Sequence, residues 1–225
     1  MTGFGHVAID GPAGSGKTTV ARALARRLGV LYLDTGAMYR AVAYSAERAG
    51  IDPSDAAAVL ALARAHPLRV ALDPESSRGF RVFAGEHELG EELYGNDVSR
   101  IVSTVAAQAA VRDLLVARQR AIAAEGPVIM AGRDIGTVVL PEAPHKIFLT
   151  ASVEERVARR LAELASRGTR VDAGTLRAEI EERDRLDETR AVAPLRPAPD
   201  AVVVDSSGIG VEAVVERIAR LVGAA

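Results

Sequence analysis

Cysteine is absent from this 225-residue chain. Disulfide scaffolds, thiolate zinc sites, iron–sulfur clusters and thiol nucleophiles are thereby excluded. The absence also fits a reducing, cytoplasmic setting, which is the location expected. Tryptophan is missing as well, and aromatic residues make up only 4%, so the core must come from aliphatic side chains and close helix packing. No stretch of 18 apolar residues occurs, and no membrane span is expected. The opening Met1-Thr-Gly-Phe-Gly-His6 has neither the basic nor the apolar region of a secretory leader. An excess of one charge is lacking too: 28 basic against 30 acidic residues leave a net −2. No field draws the whole chain onto nucleic acid, and no stable nucleic-acid partner is expected. Lysine itself is scarce. Only Lys17 and Lys146 occur, and every other basic residue is an arginine, whose planar fork suits bidentate phosphate recognition.

What is present is a folded, globular composition, 48% hydrophobic and 26% charged, in a length that suits one large domain or two small ones. A monomer is expected. His6-Val-Ala-Ile-Asp10 is a short apolar run followed by a Gly-rich segment. Val20, Leu24 and Leu28 then recur at four-residue steps, and Gly29 is placed to end that helix. Val30–Asp34 reads as a second buried strand, which completes a βαβ unit and implies a parallel sheet. Helices are expected over 35–49 and 55–65, and a mostly helical stretch over 97–125. Between Leu68 and Leu89 the pattern alternates as in a β-hairpin. Strands are expected at 127–131, 146–149 and 201–205. Helices are expected at 153–166, 175–189 and 211–222, with a mobile loop over 167–174. The fold class is therefore α/β, with a five-stranded parallel sheet flanked by helices.

Gly11-Pro12-Ala13-Gly14-Ser15-Gly16-Lys17-Thr18, followed by Thr19, has the spacing of a phosphate-binding P-loop. Phosphate oxygens must sit against backbone N–H groups, and only glycines allow that approach. The loop opens a helix, whose positive end favours anions. Lys17 supplies a mobile charge to the outer phosphates, and Thr18 offers a hydroxyl to Mg²⁺, partly through water. Such a loop indicates a nucleotide but no particular reaction. The guanine-reading Asn-Lys-x-Asp is missing, and Asp205-Ser-Ser-Gly208 reads as an accidental DxxG after the last strand. Two further motifs, Asp34-Thr-Gly-Ala-Met-Tyr-Arg40 and Gly132-Arg-Asp-Ile-Gly-Thr137, follow strands, at the end of an open sheet where ligands bind. Asp34 could cap a helix or serve the site. Tyr39 could be core or pocket wall. Arg170, Arg177 and Arg185 read as a solvated helix face, and the four histidines share no ligand spacing.

These phrases, with GPAGSGKTTVA at 11–21, LDTGAMYRA at 33–41, GRDIGTVVLPEAPHKIFLTAS at 132–152 and ERDRLDETRAVAPL at 182–195, together resemble the cytidylate kinase family, the CMP kinase branch of the nucleoside monophosphate kinases. The resemblance runs from about His6 to the C-terminus and is weakest from 55 to 98. It implies transfer of the ATP γ-phosphoryl to CMP or dCMP, with Mg²⁺ as cofactor. It implies a P-loop kinase core (1–35, 105–165 and 191–225), a hairpin-containing monophosphate-binding insert at about 36–104, and a lid at about 166–190. Gly11 to Thr19 would hold ATP. Thr35, Tyr39, Arg40, Ser103, Arg112, Arg133, Asp134, Arg183, Asp187 and Arg190 would hold CMP, with Ser103, Arg112 and Asp134 at the base. Lys17, Arg133, Arg159, Arg160 and Arg190 would act on the transferring group. Residues 85–95, Leu186 and Glu188 depart from the family's pattern.

The chemistry of the acceptor agrees. Cytosine offers an N4 amino donor beside N3 and O2 acceptors, so a carboxylate can receive N4 while Arg112 and Ser103 donate. A phosphate monoester is largely dianionic at neutral pH and needs no general base. It needs charge neutralisation and in-line alignment, which arginines, Lys17 and Mg²⁺ supply. Two other readings stand beside this one: another small-molecule kinase of UMP/CMP type, and a nucleotide-binding regulatory module without turnover.

Overall fold

In a computed structural model that describes residues 5–166 and 168–223, the central sheet is wholly parallel. It comprises β1 (Val7–Asp10), β2 (Leu31–Asp34), β6 (Val128–Gly132), β7 (His145–Thr150) and β8 (Val202–Asp205), in the order β2-β6-β1-β7-β8. Val7 is level with Ile129 on one side and His145 on the other. Every residue of β1 and β6 is buried. That explains their continuous apolar reading, because a parallel strand covered on both faces has no solvent side.

Helix α1 (Lys17–Leu28) starts at Gly16, whose φ of 90° is open to glycine, and stops at Gly29 in the left-handed region. It buries Val20, Ala21, Leu24 and Ala25. α2 (Thr35–Arg48) follows β2 directly, and α3 (Ala56–Ala65) is capped by the Asp55 side chain. β3 (Leu68–Leu72), β4 (Phe80–Ala84) and β5 (His87–Leu89) form a separate antiparallel sheet. The expected hairpin thus has a third strand. It is three residues long and buries only Leu89, so no alternation announced it.

The helical stretch expected over 97–125 is two helices, α4 (Asn96–Ala107) and α5 (Ala109–Ala124). Gln108 is extended between them, and its side-chain amide donates to Pro53 O at 2.7 Å. α6 (Val153–Ser166) and α7 (Ala173–Thr189) pack on each other around Val157, Leu164, Leu176 and Ile180, a cluster distinct from the main core. α7 begins two residues earlier than the helical pattern suggests. Asp172 accepts from Thr175 N at 2.8 Å and caps it, which draws Gly174 into the helix. The chain expected to be a mobile loop is correspondingly shorter, and Arg167 within it lies outside the described residues, as do the four residues that open the chain. α8 (Val211–Leu221) closes the fold against α1.

The strand order places the carboxyl ends of β1, β6 and β2 side by side. The Gly-rich loop, Arg133-Asp134 and Asp34 therefore converge on one crevice.

Candidate active site

The Gly-rich loop is held against the sheet by backbone contact. At Gly11, φ is 148°, and a Cβ would stand 2.0 Å from Leu149 O, so no other residue fits. Ser15 is fully buried. The Lys17 ammonium is also buried and donates to Pro12 O at 2.6 Å, folding back over the loop. Burial first, and then the Arg133 charge, push its pKa well below the usual lysine value. This cation is one that a polyanion would stabilise. Thr18 and Thr19 stand exposed at the start of α1.

Thr18 Oγ1 donates to Asp34 Oδ2 at 3.0 Å, while Asp34 Oδ1 accepts from Gly36 N at 2.9 Å. Asp34 thus caps α2 and is also bonded to Thr18 of the loop. Asp10, which ends β1, is a buried carboxylate that accepts from Ile135 N at 2.7 Å and Gly136 N at 2.8 Å. Burial raises its pKa to about 6 against those two hydrogen bonds. It pins a π-helical turn over Ile135–Val139, a conformation that recurs at functional sites. Sequence reasoning passed over Asp10. The available signal was an acid at the end of an apolar strand, one residue before the loop.

Beyond the loop lies a group of arginines. Arg40 donates to Leu93 O and Ser99 Oγ, each at 3.0 Å, and lies 5.3 Å from the Tyr94 ring centre. Arg133 donates through Nε to Asp187 Oδ2 at 2.8 Å. Burial opposes the Arg133 charge, and the combined Asp187, Asp34 and Asp184 charges more than offset it. Arg183 has a buried Nε with no partner. Burial, then Arg133 and Arg40, push it down to about 9, and Arg160 adds to the repulsion. The guanidinium groups of Arg40, Arg133, Arg160 and Arg183 thus repel one another, a repulsion that an anion would relieve.

A second station is neutral overall. Arg112 Nη2 donates to Asp134 Oδ2, both side chains being buried, and Arg112 Nη1 donates to Ala106 O at 3.2 Å. That carbonyl is freed by the break at Gln108, so the interruption between α4 and α5 also seats Arg112. Arg190 Nη2 lies 3.7 Å from Asp134 Oδ1. Tyr39 is buried beneath Arg112, with 5.4 Å from the guanidinium to the ring centre. Burial raises the Asp134 pKa against the Arg112 and Arg190 charges. For Asp187 the neighbouring Arg133, Arg183 and Arg190 overcome burial and lower it. Thr35 is engaged inward, donating to Ala131 O at 3.0 Å. Ser103 is half-buried on α4, and no hydrogen bond among the described residues ties it to this group.

Arg159 and Arg160 divide. Arg160 faces the arginine group and bonds Glu163 at 2.7 Å. Arg159 lies behind the loop: it donates to Ser15 O at 3.3 Å and to Ser206 O at 2.7 Å. Ser206 Oγ also donates to Ser15 O at 3.2 Å. The phrase at 205–208 is thus no GTPase switch, yet it braces the loop from the end of β8. Arg156 joins three parts of the fold. It donates to Ala13 O and Ala151 O, each at 3.2 Å, and pairs with Asp184 of α7 at 2.6 Å.

The sequence profile described as Cytidylate kinase matches residues 7–224. The chain belongs to the cytidylate kinase family. It is 52% identical to the cytidylate kinase of Pelotomaculum thermopropionicum over 100% of this chain and 98% of that one. To the cytidylate kinase of Geobacillus kaustophilus it is 50% identical, over 96% and 95% of the two chains. Among solved structures, TT1252 from Thermus thermophilus shares 20% identity with a TM-score of 0.51, covering 98% of this chain and 96% of that one. That likeness concerns the fold alone. Membership of the cytidylate kinase family makes the chain a nucleoside monophosphate kinase, a phosphotransferase that uses ATP. Among the described residues no helix is long and apolar enough to cross a membrane.

Proposed function

We propose that the chain transfers the γ-phosphoryl group of ATP to CMP or dCMP, giving ADP and CDP or dCDP. The observation that carries this reading is the pairing of two stations in one crevice. The Gly-rich loop and the repelling arginines call for two polyanions. The buried Arg112–Asp134 pair offers a donor and an acceptor side by side, the complement of the cytosine edge.

In this reading Gly11 to Thr19 cradle the ATP phosphates, and Lys17 neutralises the outer ones. Arg40, Arg133 and Arg183 take the acceptor phosphate. Asp134 receives N4, Arg112 donates to the ring, and Asp187 and Arg190 order the nucleotide between base and phosphate. The acceptor phosphate is already a nucleophile, so these groups align and neutralise, and no base is required. Arg160 approaches the transferring group, while Arg159 acts indirectly by holding Ser15 O. The segment 36–104 serves as the monophosphate-binding insert and 166–190 as the lid.

Hard oxygens on Thr18 and Asp34 suit Mg²⁺, and among the described residues no cluster of three or more acidic or histidine side chains competes to hold a cation. That fits an ion that keeps waters and phosphate oxygens for most of its shell. When bound it neutralises phosphate charge. A monomer working in the cytoplasm on the free nucleotide pool completes the proposal.

The test is ADP formation from ATP and Mg²⁺ with CMP, dCMP, UMP, AMP, GMP or no acceptor. Turnover confined to CMP and dCMP is expected. ATP binding without acceptor-dependent turnover would overturn the reading.

A further inference from the structure

Among the described residues, Ala193 is the one non-glycine residue with a positive φ, 51°. A Cβ is strained in that left-handed region. Pro194 comes next, and a residue before proline is driven toward extended backbone with negative φ, so the strain has two sources. The turn lies just beyond α7, which ends at Thr189 with no glycine to close it. The chain that follows holds the turn in place instead. Buried Leu195 donates its N–H to Asp187 O at 2.8 Å, satisfying a carbonyl at the end of the helix. Further on, Ala198 is buried and Asp200 pairs with Lys146 at 2.6 Å. A strained residue persists only where its surroundings fix it, and such residues collect at functional sites. Inside this turn Arg190 Nε donates to Ala193 O at 2.5 Å. Arg190 Nη2 is buried and has no hydrogen-bond partner among the described residues, and it lies 3.7 Å from Asp134 Oδ1.

We infer that Ala193 is a positioning residue, whose strained turn aims Arg190 at the bound nucleotide. The inference rests on the reading of Arg190 as a residue that orders the nucleotide. A guanidinium is planar, so a bond at Nε fixes the plane in which Nη2 lies. Ala193 O supplies that bond from the backbone three residues away. A negative φ at residue 193 would turn this carbonyl aside, because φ rotates it about the N–Cα bond. The clamp also sets a distance. At 3.7 Å, Nη2 stands just beyond hydrogen-bond reach of Asp134 Oδ1. Released from Ala193 O, the long side chain would close on that carboxylate. The donor and the acceptor would then satisfy each other and not the ligand. Holding Arg190 back keeps both for the nucleotide before it binds, which lowers the ordering cost of binding.

Ala193→Val tests the turn, because a β-branched residue is disfavoured at positive φ. Ala193→Gly is its counterpart, since glycine takes that conformation without strain. Ala193→Val should raise KM for CMP about tenfold, the size of one charge-assisted hydrogen bond, and leave KM for ATP unchanged. Ala193→Gly should restore KM for CMP to within about twofold of the wild type; a loss equal to that of valine would overturn the inference. In an Arg190→Ala background, adding Ala193→Val should change nothing further, because the turn acts through that side chain. The same loss in both backgrounds would mark a merely structural turn. If Arg190→Ala raises KM for CMP and Ala193→Val does not, the positioning role fails and the reading of Arg190 survives. If Arg190→Ala leaves KM for CMP unchanged, that reading is wrong, and the role of Ala193 falls with it. Nuclear magnetic resonance of the wild type decides the matter even if the valine variant does not fold. The Arg190 Nε–H signal, identified by its loss in Arg190→Ala, should exchange at least about tenfold more slowly than those of exposed arginines. Exchange at the exposed rate would show that no clamp exists.

Discussion

Lys17 carries the sharpest conflict between stability and function at the scale of one residue. Its ammonium is buried, bonded to Pro12 O, and held well below its usual pKa by burial and by Arg133. Without phosphate nearby that charge opposes folding. Lys17→Ala should lower kcat/KM by roughly 10²–10³. The melting temperature of the ligand-free variant should stay level or rise, because a desolvated cation is removed. Steady-state kinetics and calorimetry check the two halves, and retained activity would sink the loop assignment. Asp134 works the other way. It is paired with Arg112 in a buried site, so Asp134→Asn leaves an arginine without its counter-charge and should cost about 3 kcal/mol of stability. It should also cut the preference for CMP over UMP by roughly tenfold, since an amide can turn to donate to the uracil carbonyl. An unchanged CMP/UMP ratio would show that Asp134 does not read the base.

Elements matter here through their junctions. α6 and α7 form a helical hairpin with its own apolar cluster, and Arg156–Asp184 links that hairpin to the loop carbonyl at Ala13. Asp184→Asn weakens the charge component while keeping the side-chain shape. Hydrogen exchange of backbone amides over 173–189 should speed by several-fold, with the central strands unaffected. Uniform protection would mean that the apolar cluster alone holds α7. These junctions also mark where sequence reading stops. The parallel strands, α1 and the loop were legible because continuous apolar runs and a glycine–lysine spacing are local signals. The third strand, β5, was not, since one buried leucine in three residues makes no period. The break at Gln108 was hidden because its cause, the bond to Pro53 O, lies 55 residues away. The site divided along the same line. The arginines and Asp134 were legible from their strand-end phrases. The bracing by Ser206 and the pairing of Arg156 depend on contacts between distant segments. The position of Arg159 behind the loop likewise depends on Ser206, which only the folded chain brings to it.

At the scale of the whole molecule, net charge says little, because the charges that matter are buried at one crevice. Asp10 lies at its centre, joining the first strand, the phosphate loop and the turn after β6. Its folded-state pKa of about 6 stands above the ordinary 3.8. The folded chain therefore holds this proton more tightly than the unfolded chain does. The resulting stabilisation is fully present below about pH 4 and is lost as pH rises through 6. Asp187 has the opposite sign: its lowered pKa adds stability that appears as pH rises and is lost in acid. A pH profile of the wild type alone would mix the two, so the comparison must be with Asp10→Asn, in which only one of them is removed. The wild type minus variant stability should fall by about 3 kcal/mol between pH 4 and pH 7, a shift of about two units at ~1.4 kcal/mol each. Any constant cost of the amide, which cannot accept from both Ile135 N and Gly136 N, cancels in that slope. Denaturant unfolding at several pH values measures it. A flat difference would show that Asp10 ionises normally, and that the two amide hydrogen bonds fully balance its burial.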